Sequence, residues 1–408
     1  MPTDAELLAA LSSRADRQVD FLRELVREPS DNPPGDCARH AERTAALLEE
    51  LELVVERHPV PAEQCAAHGM RSVVNLVVRQ RFGDGPTVAL NAHGDVVPPG
   101  AGWSTDPYGG EVIDGVMYGR GVAVSKSDIA TYAFAMLALR GAAAALHGTL
   151  ELHVTYDEEA GGFLGPKWLL EEGISTPDLA VSAGFCHAIV TAHNGCLHLE
   201  VEVTGRSAHA ADPSSGVDAL EAANGILSAL YAHRRCYPQR ASARVGIGHP
   251  NLVVGLIEGG INTNVVPDKV VLRLDRRIVP EEDAVAVEAE LREVISAAAA
   301  EFAGAKTEVR QIMLARPLTP VDGVARLVQA FRQRSRDIAG EDIAEVGVPL
   351  YTDARHYAER GIPTVLFGAG PDSFLEANAH RADERLRLSD LTRATQVTTL
   401  ALFDLLRR

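Results

Sequence analysis

The sequence predicts an α/β protein: a mixed, mainly parallel sheet flanked by helices and interrupted by a smaller α+β module. Three observations lead to this prediction. Short apolar runs of strand type alternate with helical periodicity up to about residue 195, a pattern that favours helices on both faces of a sheet. From residue 196 to 314 the order changes to β-α-β-β-α-β, which is typical of a two-layer, ferredoxin-like module. From residue 315 the first pattern returns.

The length and composition agree with this division. The chain has 408 residues, which is long for one core and natural for two domains. Hydrophobic residues make up 46% and charged residues 23%, as in ordinary globular proteins. We therefore expect residues 1–195 and 315–408 to form one domain, with residues 196–314 inserted as the other.

The net charge and the cysteines narrow the function classes. A net charge of −17 disfavours nucleic acid and anionic membrane surfaces as partners, because both require basic patches. The five cysteines are odd in number, and the sequence contains no Cys-x-x-Cys pair, which favours a reduced compartment. The first residues lack the basic and apolar regions of a signal peptide. We therefore expect a cytoplasmic protein.

The elements of the first part are recognised by their periodicity and by their start and stop signals. Residues 4–28 have apolar residues on one helical side, Asp4 as an N-cap and Pro29 beyond the end. Helices are also predicted up to about residue 50, over 126–146 and over 166–172, and strands over 72–79, 88–92, 149–156 and 179–182.

The same periodicity and the same start and stop signals predict the elements of the inserted module and of the last part. Residues 196–204 alternate as a half-exposed strand. The remaining predicted strands cover 251–256, 269–275, 307–313 and 363–367, and the remaining helices cover 217–233, 281–300, 321–338 and 389–406.

The segment around the 88–92 strand contains the first candidate site. The strand runs into His93-Gly-Asp95 and then into proline and glycine. A histidine with a carboxylate two residues on, at the end of a buried strand, can bind a metal while the carboxylate orients its ring. The alternative is a loop histidine beside a turn-forming aspartate.

A second candidate follows the 149–156 strand, where Glu158 and Glu159 precede two glycines. One of two adjacent carboxylates can bind a metal while the other acts as a general base on a water molecule. Ligands in α/β sheets gather at the carboxyl ends of strands, so two such ends with ligand-type residues favour a metal site. The alternative is a charged loop.

Three further motifs are weaker when taken alone. His380 follows the 363–367 strand and its glycine-rich loop. His209, in Gly-Arg-Ser-Ala-His, could be structural or simply exposed, and Asn264 lies in a polar loop. Arg277 could pair with a substrate carboxylate or with a surface acid.

Taken in order, these motifs resemble the di-zinc amidohydrolases acetylornithine deacetylase, succinyl-diaminopimelate desuccinylase, aminoacylase-1 and carboxypeptidase G. The resemblance covers nearly the whole chain. It implies a zinc-exopeptidase-like fold in which the inserted module is a lid that mediates dimerisation, and hence a homodimer.

The resemblance also implies a role for each matching residue. His93 would bind one zinc ion and Glu159 and His380 the other, with Asp95 orienting His93 and Glu158 as the general base. His209 would reach across the dimer to stabilise the oxyanion. The substrate carboxylate would be held by Asn264 and Arg277.

The chain departs from the family pattern at two ligand positions. Val124 stands where the family has the aspartate that bridges two zinc ions, and Gly184 stands where the last ligand of the first zinc is expected. Two divalent ions 3.5 Å apart repel by very roughly 19 kcal/mol at a dielectric of about 20, and valine cannot offset this repulsion. We expect one tightly bound ion, zinc with manganese or cobalt as alternatives, held by His93, Glu159 and His380.

Other residues could replace the missing ligands, namely Cys186, His187 or Asp128. The function predicted from the sequence is hydrolysis of a small amide, either deacylation of an N-acyl amino acid or cleavage of a dipeptide. The alternative is a relative that keeps the fold and pocket without the metal chemistry, which Val124 and Gly184 favour.

Overall fold

The computed structural model of the protein describes residues 2–371 and 373–408. Its strands are, in chain order, β1 (Val55–Pro59), β2 (Val74–Arg81), β3 (Thr87–His93), β4 (Glu111–Ile113), β5 (Val116–Tyr118), β6 (Thr149–Thr155), β7 (Leu179–Ser182), β8 (Ala188–His193), β9 (Gly195–Thr204), β10 (Asn251–Gly259), β11 (Lys269–Ile278), β12 (Lys306–Ala315), β13 (Ala344–Val348), β14 (Thr364–Leu366) and β15 (Arg385–Arg387).

The α-helices alternate with these strands over most of the chain. They are α1 (Asp4–Ser12), α2 (Ala15–Arg27), α3 (Ala38–Glu50), α4 (Ala62–Ala67), α5 (Lys126–Arg140), α6 (Pro166–Glu171), α7 (Ala219–His233), α8 (Ala284–Ala299), α9 (Val324–Ala339), α10 (Ala354–Ala358), α11 (Phe374–Ala377) and α12 (Leu388–Leu406).

The chain divides into two compact units. The first comprises Met1–Thr191, Pro320–Val346 and Thr352–Arg408, and the second comprises Ala192–Thr319 and Gly347–Tyr351.

The first unit is built around a sheet with the strand order β1-β2-β6-β3-β7-β14-β8-β13. The central strands β6, β3, β7 and β14 run parallel to one another, whereas β1 and β2 on one side and β8 on the other pair antiparallel. Parallel strands must be covered on both faces, and β3 and β6 are accordingly buried along almost their whole length. The predicted mixed, mainly parallel sheet is confirmed.

Helix α5 is the most deeply buried helix of this unit among the described residues. Every residue from Lys126 to Leu139 is buried, because α5 packs against β3 and β6, α2 and α12. A helix that is apolar on nearly all sides is expected in such a position. The segment that follows the loop of Val124 is thus held firmly in the core.

Lys126, the first residue of α5, is fully buried. Its ammonium group donates to the carbonyl oxygens of Leu25 (3.0 Å) and Glu28 (3.2 Å). Burial outweighs the attraction of nearby acids such as Asp31 and lowers the pKa of Lys126 to about 8. The charged form is disfavoured because its hydration is lost.

This pKa shift predicts how stability depends on pH. Below about pH 8 Lys126 is protonated in both the folded and the unfolded states. Burial of its charge then lowers the free energy of unfolding by the full amount. Between pH 8 and 10.5 only the unfolded state keeps it, so the free energy of unfolding should rise by roughly 3 kcal/mol over that window. Denaturant unfolding at several pH values should show this rise in the parent and in Lys306→Met, an exposed control, but not in Lys126→Met. An equal rise in Lys126→Met would contradict the prediction.

Several elements differ from those predicted. The helix expected over residues 4–28 is two helices, since the backbone turns at Ser13 and Arg14. The residue that caps α1 is Thr3, in a reciprocal capping box with Glu6, and not Asp4. Short strands such as β4, β5 and β15, each of three residues, were not predicted because so few residues show no periodicity.

The second unit contains an antiparallel sheet with the order β10-β11-β9-β12. On β9 the residues Leu197, Leu199, Val201 and Val203 are buried in a core that also includes residues of α7 and α8. The alternate residues of β9 lie on the opposite face of the sheet. The β-α-β-β-α-β order predicted for this region is the one observed.

In the two described ranges, no helix combines the length with the apolar character that a transmembrane span requires.

Candidate metal centre

The candidate centre lies where two neighbouring parallel strands end. Strands β3 and β6 are paired in register, with His93 opposite Thr155. Their carboxyl ends therefore meet at one edge of the sheet, and the short 3-10 turn Glu158–Ala160 follows β6. The ligand-type atoms of His93, Glu158 and Glu159 all lie within 4.8 Å of one another. The two motifs singled out in the sequence thus form one cluster.

Asp95 joins the two strand ends. Its carboxylate accepts hydrogen bonds from the backbone amides of Glu158 (3.3 Å) and Glu159 (3.2 Å) and from the Asn32 side-chain amide (3.0 Å). Its fully buried side chain therefore fixes the turn that carries both glutamates. Asn32, in the loop before α3, was not identified from the sequence.

The tautomer of His93 follows from its contacts. Its Nδ1 lies 2.9 Å from the carbonyl oxygen of Asp95 and 3.5 Å from the Asp95 carboxylate. A carbonyl oxygen can only accept, so Nδ1 carries the proton and the lone pair of the neutral ring is on Nε2. Nε2 lies 4.0 Å from the Glu158 carboxylate. It faces the cluster as a metal-binding nitrogen must.

The charges of the cluster affect one another strongly. Burial lowers the pKa of His93, but hydrogen bonding to Asp95 and the charge of Glu158 outweigh it and raise this pKa well above its usual value. Burial raises the pKa of Glu158 well above its usual value, against the opposing effect of His93. A carboxylate whose pKa is raised takes up a proton more readily than an ordinary carboxylate does.

His380 approaches the cluster from the other side of Glu159. Its Nε2 lies 3.3 Å from Oε1 of Glu159, and its side chain is about half exposed, at 52%. Hydrogen bonding to Glu159 raises the pKa of His380. His380 is outside the group whose ligand atoms are all within 4.8 Å, as that group is defined among the described residues. Of the three predicted ligands, Glu159 is therefore the one adjacent to both histidines.

The two positions where the family pattern is broken differ in their surroundings. Val124 is partly buried and packs against the core of the first unit. Gly184 is backed by another chain segment: a Cβ atom there would lie 2.8 Å from the backbone nitrogen of Phe367 and 2.9 Å from the carbonyl carbon of Leu366. Residue 184 therefore cannot carry a ligand side chain unless the backbone moves.

Asp128, considered as a substitute ligand, has other partners. Its carboxylate accepts from the backbone amides of Ala369 (2.6 Å) and Gly184 (3.2 Å). Burial raises the pKa of Asp128 to about 7. The side chain connects the start of α5 with the loops after β7 and β14, and this structural role accounts for its position.

A buried ion pair supports the loops around the centre. Arg120 and Glu384 are each 1% exposed and lie 2.6 Å apart. Glu384 also accepts from the backbone amides of Ala123 (3.1 Å) and Val124 (3.2 Å), and Arg120 donates to the carbonyl oxygen of Arg381 (3.2 Å). The pair thereby joins the Val124 loop to the His380 loop. It was not identified from the sequence.

Another residue missed from the sequence is Asp353, before α10. It is buried, at 4% exposure, and accepts from the hydroxyl of Thr155 (3.3 Å) at the end of β6. Burial raises its pKa to about 7, and the charge of Asp95 adds to this effect. When ionised, its carboxylate adds to the negative potential at the strand ends.

The predicted substrate residues His209, Asn264 and Arg277 all belong to the second unit. His209 is exposed on the loop after β9, where its backbone bridges to Val265, and the Ala210 amide donates to the carbonyl oxygen of Asn264 (2.9 Å). These two predicted residues are therefore close in the fold. Arg277 lies on β11 and donates through Nε to Asp275 (3.1 Å).

Known proteins resemble this chain over most of its length. The family model described as "Peptidase family M20/M25/M40" matches residues 89–404. The chain is 27% identical over 334 residues to a succinyl-diaminopimelate desuccinylase of Nitratiruptor sp., covering 78% of this chain and 85% of the relative. It is also 27% identical over 394 residues to the same enzyme of Wolinella succinogenes, covering 94% and 98%.

Solved structures show the same fold. Human carnosine dipeptidase 1 superposes with a TM-score of 0.73 at 18% identity, covering 99% of both chains. An M20 family metallo-carboxypeptidase from Sulfolobus solfataricus gives a TM-score of 0.75 at 16% identity, covering 96% of this chain and 99% of the other. The predicted family and fold class are both confirmed. The chain belongs to the peptidase family M20/M25/M40 and is a metal-dependent amidohydrolase.

Proposed function

We propose that the protein hydrolyses the amide bond of a small substrate, an N-acyl amino acid or a dipeptide. The observation that carries this proposal is the convergence of His93, Glu158 and Glu159 at the ends of two neighbouring strands. The relatives named as desuccinylases and the structural neighbour named as a dipeptidase support small amides as the substrate class. The alternative without metal chemistry does not explain this convergence.

The residues present fit one divalent ion better than two. His93 offers Nε2 and Glu159 offers a carboxylate beside it, with His380 in contact with that carboxylate. Two histidines and a glutamate are a known catalytic zinc set. For a second ion, Val124 offers no ligand atom, and residue 184 has no space for a side chain. We propose zinc, with manganese or cobalt as alternatives.

A bound divalent ion would polarise the scissile carbonyl and lower the pKa of a water molecule to near 7. The protein supplies the proton transfers. Glu158 takes a proton from the attacking water at its carboxylate and returns it to the leaving nitrogen. Asp95 keeps Glu158 in place through the backbone amide of that residue. The roles of His209, Asn264 and Arg277 in binding the oxyanion and the substrate carboxylate stay predictions, as do the homodimer and the cytoplasmic location.

Metal analysis tests the centre directly. We expect protein purified without chelators and supplied with zinc to hold roughly one ion per chain at the centre of His93, measured as the difference in zinc content between the parent and His93→Ala. His93→Ala and Glu159→Ala should lose most of this metal, because each removes a ligand, whereas His68→Ala, at an exposed histidine, should retain it. Elemental analysis of folded, dialysed samples measures the difference. A loss of two ions per chain, or of none, in His93→Ala would contradict the proposed centre.

Activity on the same samples tests the reaction. A panel of N-acyl amino acids, including N-succinyl amino acids, and of dipeptides should reveal turnover that follows the metal content. Release of a free amine is the measured signal. A sample fully loaded with metal that hydrolyses none of these classes would overturn the proposed function, independently of the metal result.

A further inference from the structure

A second group of ligand-type side chains lies in the first unit, separate from the residues of the proposed hydrolytic centre. Cys186 and His187 follow β7, and Asp390 lies in the first turn of α12. Their sulfur, nitrogen and oxygen ligand atoms all lie within 4.8 Å of one another. Residues far apart in the sequence are thus brought together at one point.

The carboxylate of Asp390 does not have all of its hydrogen bonds made within the described residues. Its Oδ1 lies 3.4 Å from Nε2 of His187, but its buried Oδ2 has no hydrogen-bond partner among the residues that the structure describes. The residue is only 4% exposed, so solvent compensates little. A buried carboxylate oxygen without a hydrogen-bond partner destabilises the folded state, because it has lost its hydration. A bound ion would supply the missing interaction.

The three side chains have the chemistry of a zinc site. A thiolate, an imidazole and a carboxylate are the ligand types that zinc prefers, and three protein ligands leave one position for water. Cys186 is buried, whereas the side chain of His187 is 19% exposed, which provides an entry path. We propose that Cys186, His187 and Asp390 form a second metal site, selective for zinc-like ions and distinct from the hydrolytic centre.

Arg393 contacts His187 and competes with a metal ion for its ring. Its Nη1 lies 3.0 Å from Nδ1 of His187 and 2.9 Å from the carboxylate of Glu341. A guanidinium only donates, so in the metal-free protein Nδ1 accepts and Nε2 carries the proton. Binding through Nε2 requires that proton to move to Nδ1, so Arg393 must leave the ring and keep its contact with Glu341. Cys186 releases a proton to solvent on binding.

Cobalt(II) is the probe that separates this site from the hydrolytic centre. A cobalt ion bound by thiolate absorbs in the near ultraviolet through sulfur-to-metal charge transfer, and the His93 group contains no cysteine. We expect the chelator-stripped, full-length protein to develop this absorption on titration with cobalt. It should be abolished in Cys186→Ser. In Asp390→Asn, cobalt affinity should fall by more than the roughly 10- to 100-fold typical of residues that only orient a ligand.

A matched control comes from the second unit. Cys196 lies with His198 and Asp275 in another group of ligand-type atoms within 4.8 Å, but Asp275 there already accepts from Arg277 (3.1 Å). Cys196→Ser should therefore leave the absorption unchanged. Arg393→Gln should tighten cobalt binding, because it removes the cation that competes for His187.

Three results would overturn the proposal: no charge-transfer absorption in the parent, its persistence in Cys186→Ser, or its loss in Cys196→Ser instead. Circular dichroism checks the fold of each variant. If Cys186→Ser does not fold, His187→Ala replaces it, and cobalt affinity equal to that of the parent in both His187→Ala and Asp390→Asn would equally exclude the site.

Discussion

Glu158→Gln should reduce kcat by roughly 100- to 10,000-fold, the range expected when a general base is removed. Glutamine has nearly the same shape as glutamate but cannot take a proton from water. The backbone amide of residue 158, which donates to Asp95 at 3.3 Å, is unaffected by the change, so the fold should be preserved. Steady-state kinetics on the best substrate of the panel, with metal content measured on the same sample, gives the result.

Glu159→Gln distinguishes loss of the general base from loss of a metal ligand. Glu159→Gln removes a proposed metal ligand and should lower both activity and metal content, whereas Glu158→Gln should lower activity alone. Glu172→Gln, at an exposed position, should change neither. Normal turnover in metal-loaded Glu158→Gln would exclude this residue as the base.

Glu384→Ala should lower the free energy of unfolding by about 3–5 kcal/mol, the loss typical when one partner of a buried ion pair is removed. Arg120 would then be a buried, unpaired cation at 1% exposure. The backbone amides of Ala123 and Val124 would also lose their acceptor. Denaturant unfolding measures the change.

A surface ion pair provides the control for this effect. Glu200 pairs with Arg273 and Arg310, whose side chains are 53% and 64% exposed, so Glu200→Ala should cost less than about 1 kcal/mol. Glu384→Gln keeps an acceptor oxygen and should lose less stability than Glu384→Ala. Equal stability losses in Glu384→Ala and Glu200→Ala would show that the buried pair does not hold the two loops together.

The parts of the centre that could be predicted are those encoded locally. His93 and the Glu158–Glu159 pair each follow an apolar run of strand type, and the carboxyl ends of parallel strands meet at one edge of a sheet. The convergence of these residues was therefore predictable from two short stretches. The same holds for the sheet itself, because β7 is a short, mostly apolar run and β6 alternates leucine and valine with polar residues.

The parts that could not be predicted depend on distant pairings. Arg120 and Glu384 are separated by 264 residues, and Asp128 and Ala369 by 241. Nothing in the local sequence pattern around these residues indicates which partner each of them has. The position of His380 relative to His93 could not be predicted either. His380 lies in a loop beyond a strand end, and the local sequence does not determine the path of that loop.

The tight spacing behind Gly184 has a consequence for how this chain can change over evolutionary time. A single substitution to aspartate or glutamate at this position would bring its Cβ to 2.8 Å from the Phe367 nitrogen, so it would destabilise the protein before it could bind a metal. A two-ion centre with a ligand at residue 184 would therefore require the Leu366–Phe367 segment to move as well. Backbone spacing thus closes this position to a metal ligand introduced by a single substitution.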